Sequence, residues 1–192
     1  MKERIRDALS ELDLRRLADG PRPQAAVLMP LFQGCDGGGG GWRLLLTKRT
    51  EEVETHKGQI SFPGGMREGG EALEETALRE TFEEVGIPPE RVELLGRFHD
   101  YLAVTGVRVT PFAALLRTPF PVTPQVHEVA EVLRVPIETF SDPASLRVEK
   151  GSFQGEAVND YYYAYGAHTI WGLTARIIHD FLEALALGGG GR

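Results

Sequence analysis

The chain has 192 residues, of which 42% are hydrophobic and 26% charged, and it carries a net charge of −7 at pH 7. This is an ordinary globular composition with enough length to bury a core, and the negative balance excludes a broad electrostatic footprint for nucleic acid. A single cysteine, Cys35, excludes an intrachain disulfide and a cysteine-rich zinc site, and no apolar run reaches the roughly eighteen residues that span a bilayer.

Residues 1–20 alternate charges with Ile5, Leu9, Leu12 and Leu17, the pattern of an amphipathic helix ending near Gly20. They lack the continuous apolar stretch of a signal peptide, so the expected compartment is the cytoplasm. QAAVLMPLF and WRLLLTKR predict two buried strands, with the glycine run Gly37–Gly41 as a flexible hairpin tip. HKGQISFPGGMREGGE reads as loop, followed by a Glu-rich helix over 72–85 that Gly86 stops and Pro88 keeps from resuming. RVELLGRFHDYLAV and GVRVTPFAALL predict a strand pair turning at Thr105–Gly106. HEVAEVLRVPIETF reads as a strand and a short helix, YYYAYGAHTIWG as strand, and LTARIIHDFLEALAL as a closing amphipathic helix before a frayed tail over 188–192. Nothing divides the chain, so residues 1–192 are expected to form one domain. The irregular order of elements predicts an α+β or sandwich-like arrangement over a doubly wound sheet.

At about 100° per residue, Arg79, Glu80, Glu83 and Glu84 share one arc of the predicted helix, with Leu78, Phe82 and Val85 opposite as the side anchored in a core. A glutamate run ordinarily forms a solvated acidic face. Here lysines at i±4, which would relieve the repulsion, are absent, and a loop carrying Pro63, Gly64 and Gly65 leads directly into the helix. Three ionised carboxylates on one arc make a hard-oxygen site suited to Mg²⁺ or Mn²⁺, and a cation there removes the repulsion.

The stretch resembles the Nudix box, G-x5-E-x7-R-E-U-x-E-E-x-G-U with U a bulky aliphatic, at Gly65, Glu71, Arg79, Glu80, Glu83, Glu84, Gly86 and Ile87. Thr81 departs, where an aliphatic is usual, which bears on local packing. The resemblance to the Nudix hydrolase superfamily implies an α/β/α sandwich with a mixed sheet and a loop-helix-loop catalytic motif. It also implies metal-dependent hydrolysis of a nucleoside diphosphate linked to another group. By position, Glu80, Glu83 and Glu84 look like metal ligands, and Arg79 with Glu71 looks like a pair that orients them. Divalent ions in such a site screen the pyrophosphate charge and activate a water. The proton would go to a box glutamate such as Glu83 or to a carboxylate from a later loop, for which Glu128 and Glu131 are candidates.

Upstream, residues 45–65 resemble the signature of the coenzyme A pyrophosphatase branch, L-[LM]-T-x-R-[SA]-x3-R-x3-G-x3-F-P-G-G, at Leu45, Leu46, Thr47, Arg49, Gly58, Phe62, Pro63, Gly64 and Gly65. Thr50 replaces a small Ser or Ala, and Glu54 stands where Arg is expected. Lys48, Arg49 and Lys57 remain as the basic groups beside the metal site, suited to the phosphates of coenzyme A. IWGLTARII also looks like this branch. Trp171 and Phe153 are expected in the core, at least one of Tyr161–Tyr163 is expected to be exposed, and the five histidines show no metal-ligand spacing. The expectation is a coenzyme A or acyl-CoA pyrophosphatase acting on a small molecule, with no nucleic acid or membrane partner. An ADP-ribose or dinucleotide Nudix hydrolase is the second enzymatic reading, and a non-catalytic Nudix-fold binding module the reading from another class.

Overall fold

The two apolar runs form the centre of a mixed sheet in the computed structural model, which describes residues 1–18, 20–34, 40–51 and 58–187. Strands β1 (Gln24–Gln33) and β2 (Trp42–Arg49) pair antiparallel, and the tip between them lies largely outside the described residues. The segment expected to be loop contains two short strands, β3 (Ile60–Ser61) on β2 and β4 (Gly64–Met66) on β1, which tie the glycine-rich stretch to the sheet. Strands β5 (Val92–Arg97), β6 (Tyr101–Leu102) and β7 (Arg108–Leu116) follow, with β5 and β6 antiparallel to β7. Strand β7 runs parallel to β1, which makes the sheet mixed, in the order β3-β2-β1-β7-β5. Strand β8 (Val129–Pro136) joins through β2, with a register shift opposite Lys48 and Arg49.

Alternation along the central strands sorts the core to two sides. Ala26 and Leu28 of β1 and Leu45 of β2 face helix α2 (Leu73–Val85), packing with Leu73, Ala77 and Val85. Met29, Leu31, Leu44 and Leu46 face the other way, against Ile5, Ala8 and Leu9 of helix α1 (Lys2–Glu11) and Ile177, Ile178 and Phe181 of helix α4 (Gly172–Leu187). Helix α3 (Ile137–Ser141) and a second sheet of β9 (Leu146–Phe153), β10 (Glu156–Tyr165) and β11 (His168–Trp171) complete that side. Helices on both faces of a mixed sheet are the α/β/α sandwich expected. No helix among the described residues is long and apolar enough to cross a membrane.

Three expectations are corrected. The first helix ends at Glu11, not near Gly20, with Leu12 already extended. The following segment bonds through its backbone to the link between β5 and β6 instead: Leu17 N–H donates to Asp100 Oδ2 at 3.0 Å and Arg15 C=O accepts from the Asp100 N–H at 2.8 Å. Strand β9 has no counterpart in the sequence reading, because LRVEKGSF is mostly exposed and carries a weak apolar signal. On α2, Phe82 is 52% exposed, and the buried set is Leu73, Thr76, Ala77, Thr81, Glu84 and Val85. The helix therefore turns one edge of its carboxylate arc inward.

Candidate active site

Helix α2 begins at Ala72, whose N–H donates to the Glu75 carboxylate, and ends at Gly86 in the left-handed conformation (φ 69°), with the Gly86 N–H bonded to Phe82 C=O. Thr81, the departure from the box, is fully buried and donates its hydroxyl to Ala77 C=O at 2.7 Å. A polar residue is tolerated there because its one donor is satisfied within the helix.

The inward edge meets the loop and strand just before the helix. Gly64 N–H donates to Glu84 Oε2 at 3.3 Å, and the Arg49 guanidinium lies 3.7 Å from Glu84 Oε1. These contacts do not offset the loss of water: burial pushes the Glu84 carboxyl up to about 8, against the Gly64 and Arg49 contributions and with help from the charges of Glu80 and Glu128. Burial likewise raises Glu80, opposed by Arg79. A Cβ on Gly65 would displace the Glu80 carboxyl group from its present position.

Arg79 organises the other carboxylates. Its Nε and Nη2 donate to Glu71 Oε2 and Oε1 at 3.2 and 3.0 Å, a two-pronged pair that holds Glu71 down to about 2, aided by the Glu68 N–H and the Thr76 hydroxyl. Its Nη1 lies 2.9 Å from both Glu80 and Glu83, and Nη2 also reaches Met66 C=O at 3.1 Å. Arg79 is thus the hub between β4, the loop carrying Glu71, and the helix.

The donor set could suit a hard divalent cation: Glu80, Glu83 and Glu84 offer only carboxylate oxygens, and Glu84 is a buried acid whose charge the protein leaves poorly compensated. As arranged, Arg79 draws Glu80 and Glu83 to itself. Among the described residues, no three His, Cys, Asp or Glu side chains are gathered closely enough to hold a metal ion. A cation held by Glu80 and Glu83 would have to replace their contacts with Arg79.

Of the basic residues singled out, Arg49 is at the cluster. Lys48 alternates to the face of β2 shared by Leu44 and Leu46, away from α2. Lys57 and Glu54 lie outside the described residues. The two later carboxylates separate as well. Residues 123–128 fold back onto the helix end, with Thr123 N–H on Val85 C=O and Gln125 N–H on Glu84 C=O. Thr50 anchors the same loop, its N–H on Glu128 C=O and its hydroxyl on His127 C=O at 2.8 Å, the second a bond that Ser could also make and Ala could not. Glu128 is thereby close enough for its charge to raise both Glu80 and Glu84. Glu131 instead pairs with His168 Nε2 at 3.3 Å, joining β8 to the small sheet.

The aromatic expectations divide. Tyr163 is buried, with its hydroxyl 3.0 Å from His179 Nδ1, and Tyr161 stacks on the His179 ring. Trp171, expected in the core, is 48% exposed, because Ile170 takes the inward position of β11. Phe153 is partly buried at the end of β9.

A NUDIX domain profile matches residues 22–153. A protein of Photorhabdus laumondii described as "Uncharacterized Nudix hydrolase NudL" is 36% identical over 170 residues, covering 88% of this chain and 88% of that one. "Nudix hydrolase 22, chloroplastic" of Arabidopsis thaliana is 38% identical, covering 82% of this chain, which spans 54% of the plant protein. In fold, the chain is similar to the MutT/nudix family protein from Enterococcus faecalis, with a TM-score of 0.55 at 18% identity, over 92% of this chain and 66% of that one.

Proposed function

Because this chain belongs to the Nudix hydrolase family, we propose that its pyrophosphohydrolase activity is directed at coenzyme A or an acyl-CoA, releasing 3′,5′-ADP and 4′-phosphopantetheine or its acyl form. The observation that carries this reading is the arginine of the upstream signature, Arg49, whose guanidinium lies 3.7 Å from the buried Glu84 carboxylate. A fixed cation beside the carboxylates suits a substrate with a pyrophosphate and a further phosphate. Glu80, Glu83 and Glu84 are the residues that would hold Mg²⁺ or Mn²⁺. When bound, the ion screens phosphate charge and activates a water for in-line displacement.

The chain's own residues take defined parts in this reading. Arg79, fixed by Glu71, orients Glu80 and Glu83 and takes up their charge in the metal-free protein. Arg49 contacts substrate phosphate. Glu128, exposed on the loop that Thr50 tethers, accepts the proton of the attacking water. The test is a substrate panel with and without Mg²⁺ or Mn²⁺, with products identified by mass. Metal-dependent release of 3′,5′-ADP from CoA is the expected result. Cleavage of ADP-ribose or a dinucleotide in clear preference to CoA would reject the substrate assignment.

A further inference from the structure

Two side chains hold the backbone of one residue, His127, at both of its ends. The Thr50 hydroxyl donates to His127 C=O at 2.8 Å, and Gln125 Oε1 accepts from the His127 N–H at 2.8 Å. Planar peptide units on either side of His127 are thereby fixed, and the second of them carries the Cα of Glu128. Backbone bonds close the same turn, with Gln125 C=O accepting from Glu128 N–H at 2.9 Å and Val129 N–H at 2.8 Å.

Two features argue for more than loop closure. First, both anchors belong to the candidate active site. Thr50 follows Arg49, whose guanidinium lies 3.7 Å from Glu84 Oε1, and the Gln125 N–H donates to Glu84 C=O at 2.9 Å. Residues 125–128 are thus suspended between the strand end that carries Arg49 and the helix end that carries Glu84. Second, packing does not fix this segment. Residues 123–128 are all exposed and Val126 is 73% exposed, whereas Thr50 is only 9% exposed. Hydrogen bonds to firmly held neighbours therefore decide where Glu128 stands.

We propose that Thr50 and Gln125 are positioning residues for the hydrolysis: by gripping the His127 backbone they hold Glu128 where it takes the proton of the attacking water. The inference rests on Glu128 being the general base of the proposed function. Each side chain acts through a backbone and not on the substrate. Loosening the grip displaces the base while Arg49 and the carboxylates of α2 stay in place, so the chemical step suffers and substrate binding does not.

Thr50→Val keeps the branching of the side chain and the Thr50 N–H bond to Glu128 C=O but removes the hydroxyl. Gln125→Met removes the acceptor at an exposed position, where folding does not depend on it. Each should lower kcat by about 10–100-fold with KM nearly unchanged, and Thr50→Ser, which keeps the hydroxyl, should stay close to wild type. In a Glu128→Gln background, where the base is already gone, neither should cost anything further. With kcat reduced in Glu128→Gln itself, three results would overturn the proposal alone: full kcat in folded Thr50→Val or Gln125→Met, Thr50→Ser as slow as Thr50→Val, or losses that simply add to that of Glu128→Gln. Unchanged kcat in Glu128→Gln would instead overturn the general-base reading, and this proposal with it.

Discussion

Arg49 and Glu84 face each other across the junction of a strand end and the helix, with 3.7 Å between guanidinium and carboxylate. The two belong to different sequence signatures, separated by most of a loop, two short strands and a helix. Their meeting joins the candidate phosphate contact to the candidate metal cluster.

Glu84 is buried with its charge undercompensated, so the metal-free protein should be strained by it. A carboxyl whose folded value is raised to about 8 favours the protonated folded state. Metal-free stability should therefore fall as pH rises from the ordinary carboxylate range towards 8. Glu84→Gln should remove that decline in urea titrations and blunt the rise in Tm on adding Mg²⁺ or Mn²⁺. Turnover should drop by more than about a hundredfold, since even residues supporting metal ligands are worth about 10–100-fold. A variant with full activity at limiting metal would remove Glu84 from the site.

Glu128 and Glu131 offer an internal comparison. Glu128→Gln should lower kcat by about 10²–10⁴-fold and abolish the acidic limb of the pH–rate profile, as expected on losing a general base. Glu131→Gln, which removes the charge facing His168, should leave the profile intact. Matching profiles for both variants would rule out Glu128 as the base.

The helix was legible in the sequence because glycines and charged residues at fixed spacing mark its start, end and carboxylates. Which side of it faces inward was not. Periodicity sends Phe82 to the core and Glu84 to water, whereas the Gly64 N–H and Arg49, both distant in sequence, make it possible to bury the acid. The position of Glu128 was hidden for a similar reason: it depends on the loop's return to the helix through Gln125 and on the Thr50 tether. Trp171 read as core because an apolar strand residue usually is, and only the register of β11 on β10 reveals its outward position.

A structural role can be separated from these functional ones at Asp100. Burial would raise its carboxyl, but bonds from the Thr110 hydroxyl (2.7 Å), Arg97 (2.6 Å) and the Leu17 N–H outweigh it, so the net shift is downward. A depressed carboxyl adds stability that is present above its unfolded value and lost as pH falls through the folded one. This contribution to wild-type stability should therefore be lost progressively below about pH 4. Asp100→Asn should flatten that fall and cost roughly 3–5 kcal/mol at neutral pH, because Arg97 is left without its partner. Its KM for substrate should not change; a raised KM would tie the N-terminal segment to the site.

The most direct test of the account measures kcat/KM for CoA, dephospho-CoA and ADP-ribose on wild type and Arg49→Ala. A charge-assisted hydrogen bond contributes about 1.5–3 kcal/mol, so wild type should prefer CoA to dephospho-CoA by about tenfold or more, and the variant should lose most of that preference. If ADP-ribose is the best substrate, or if Arg49→Ala leaves every ratio unchanged, the coenzyme A assignment is contradicted.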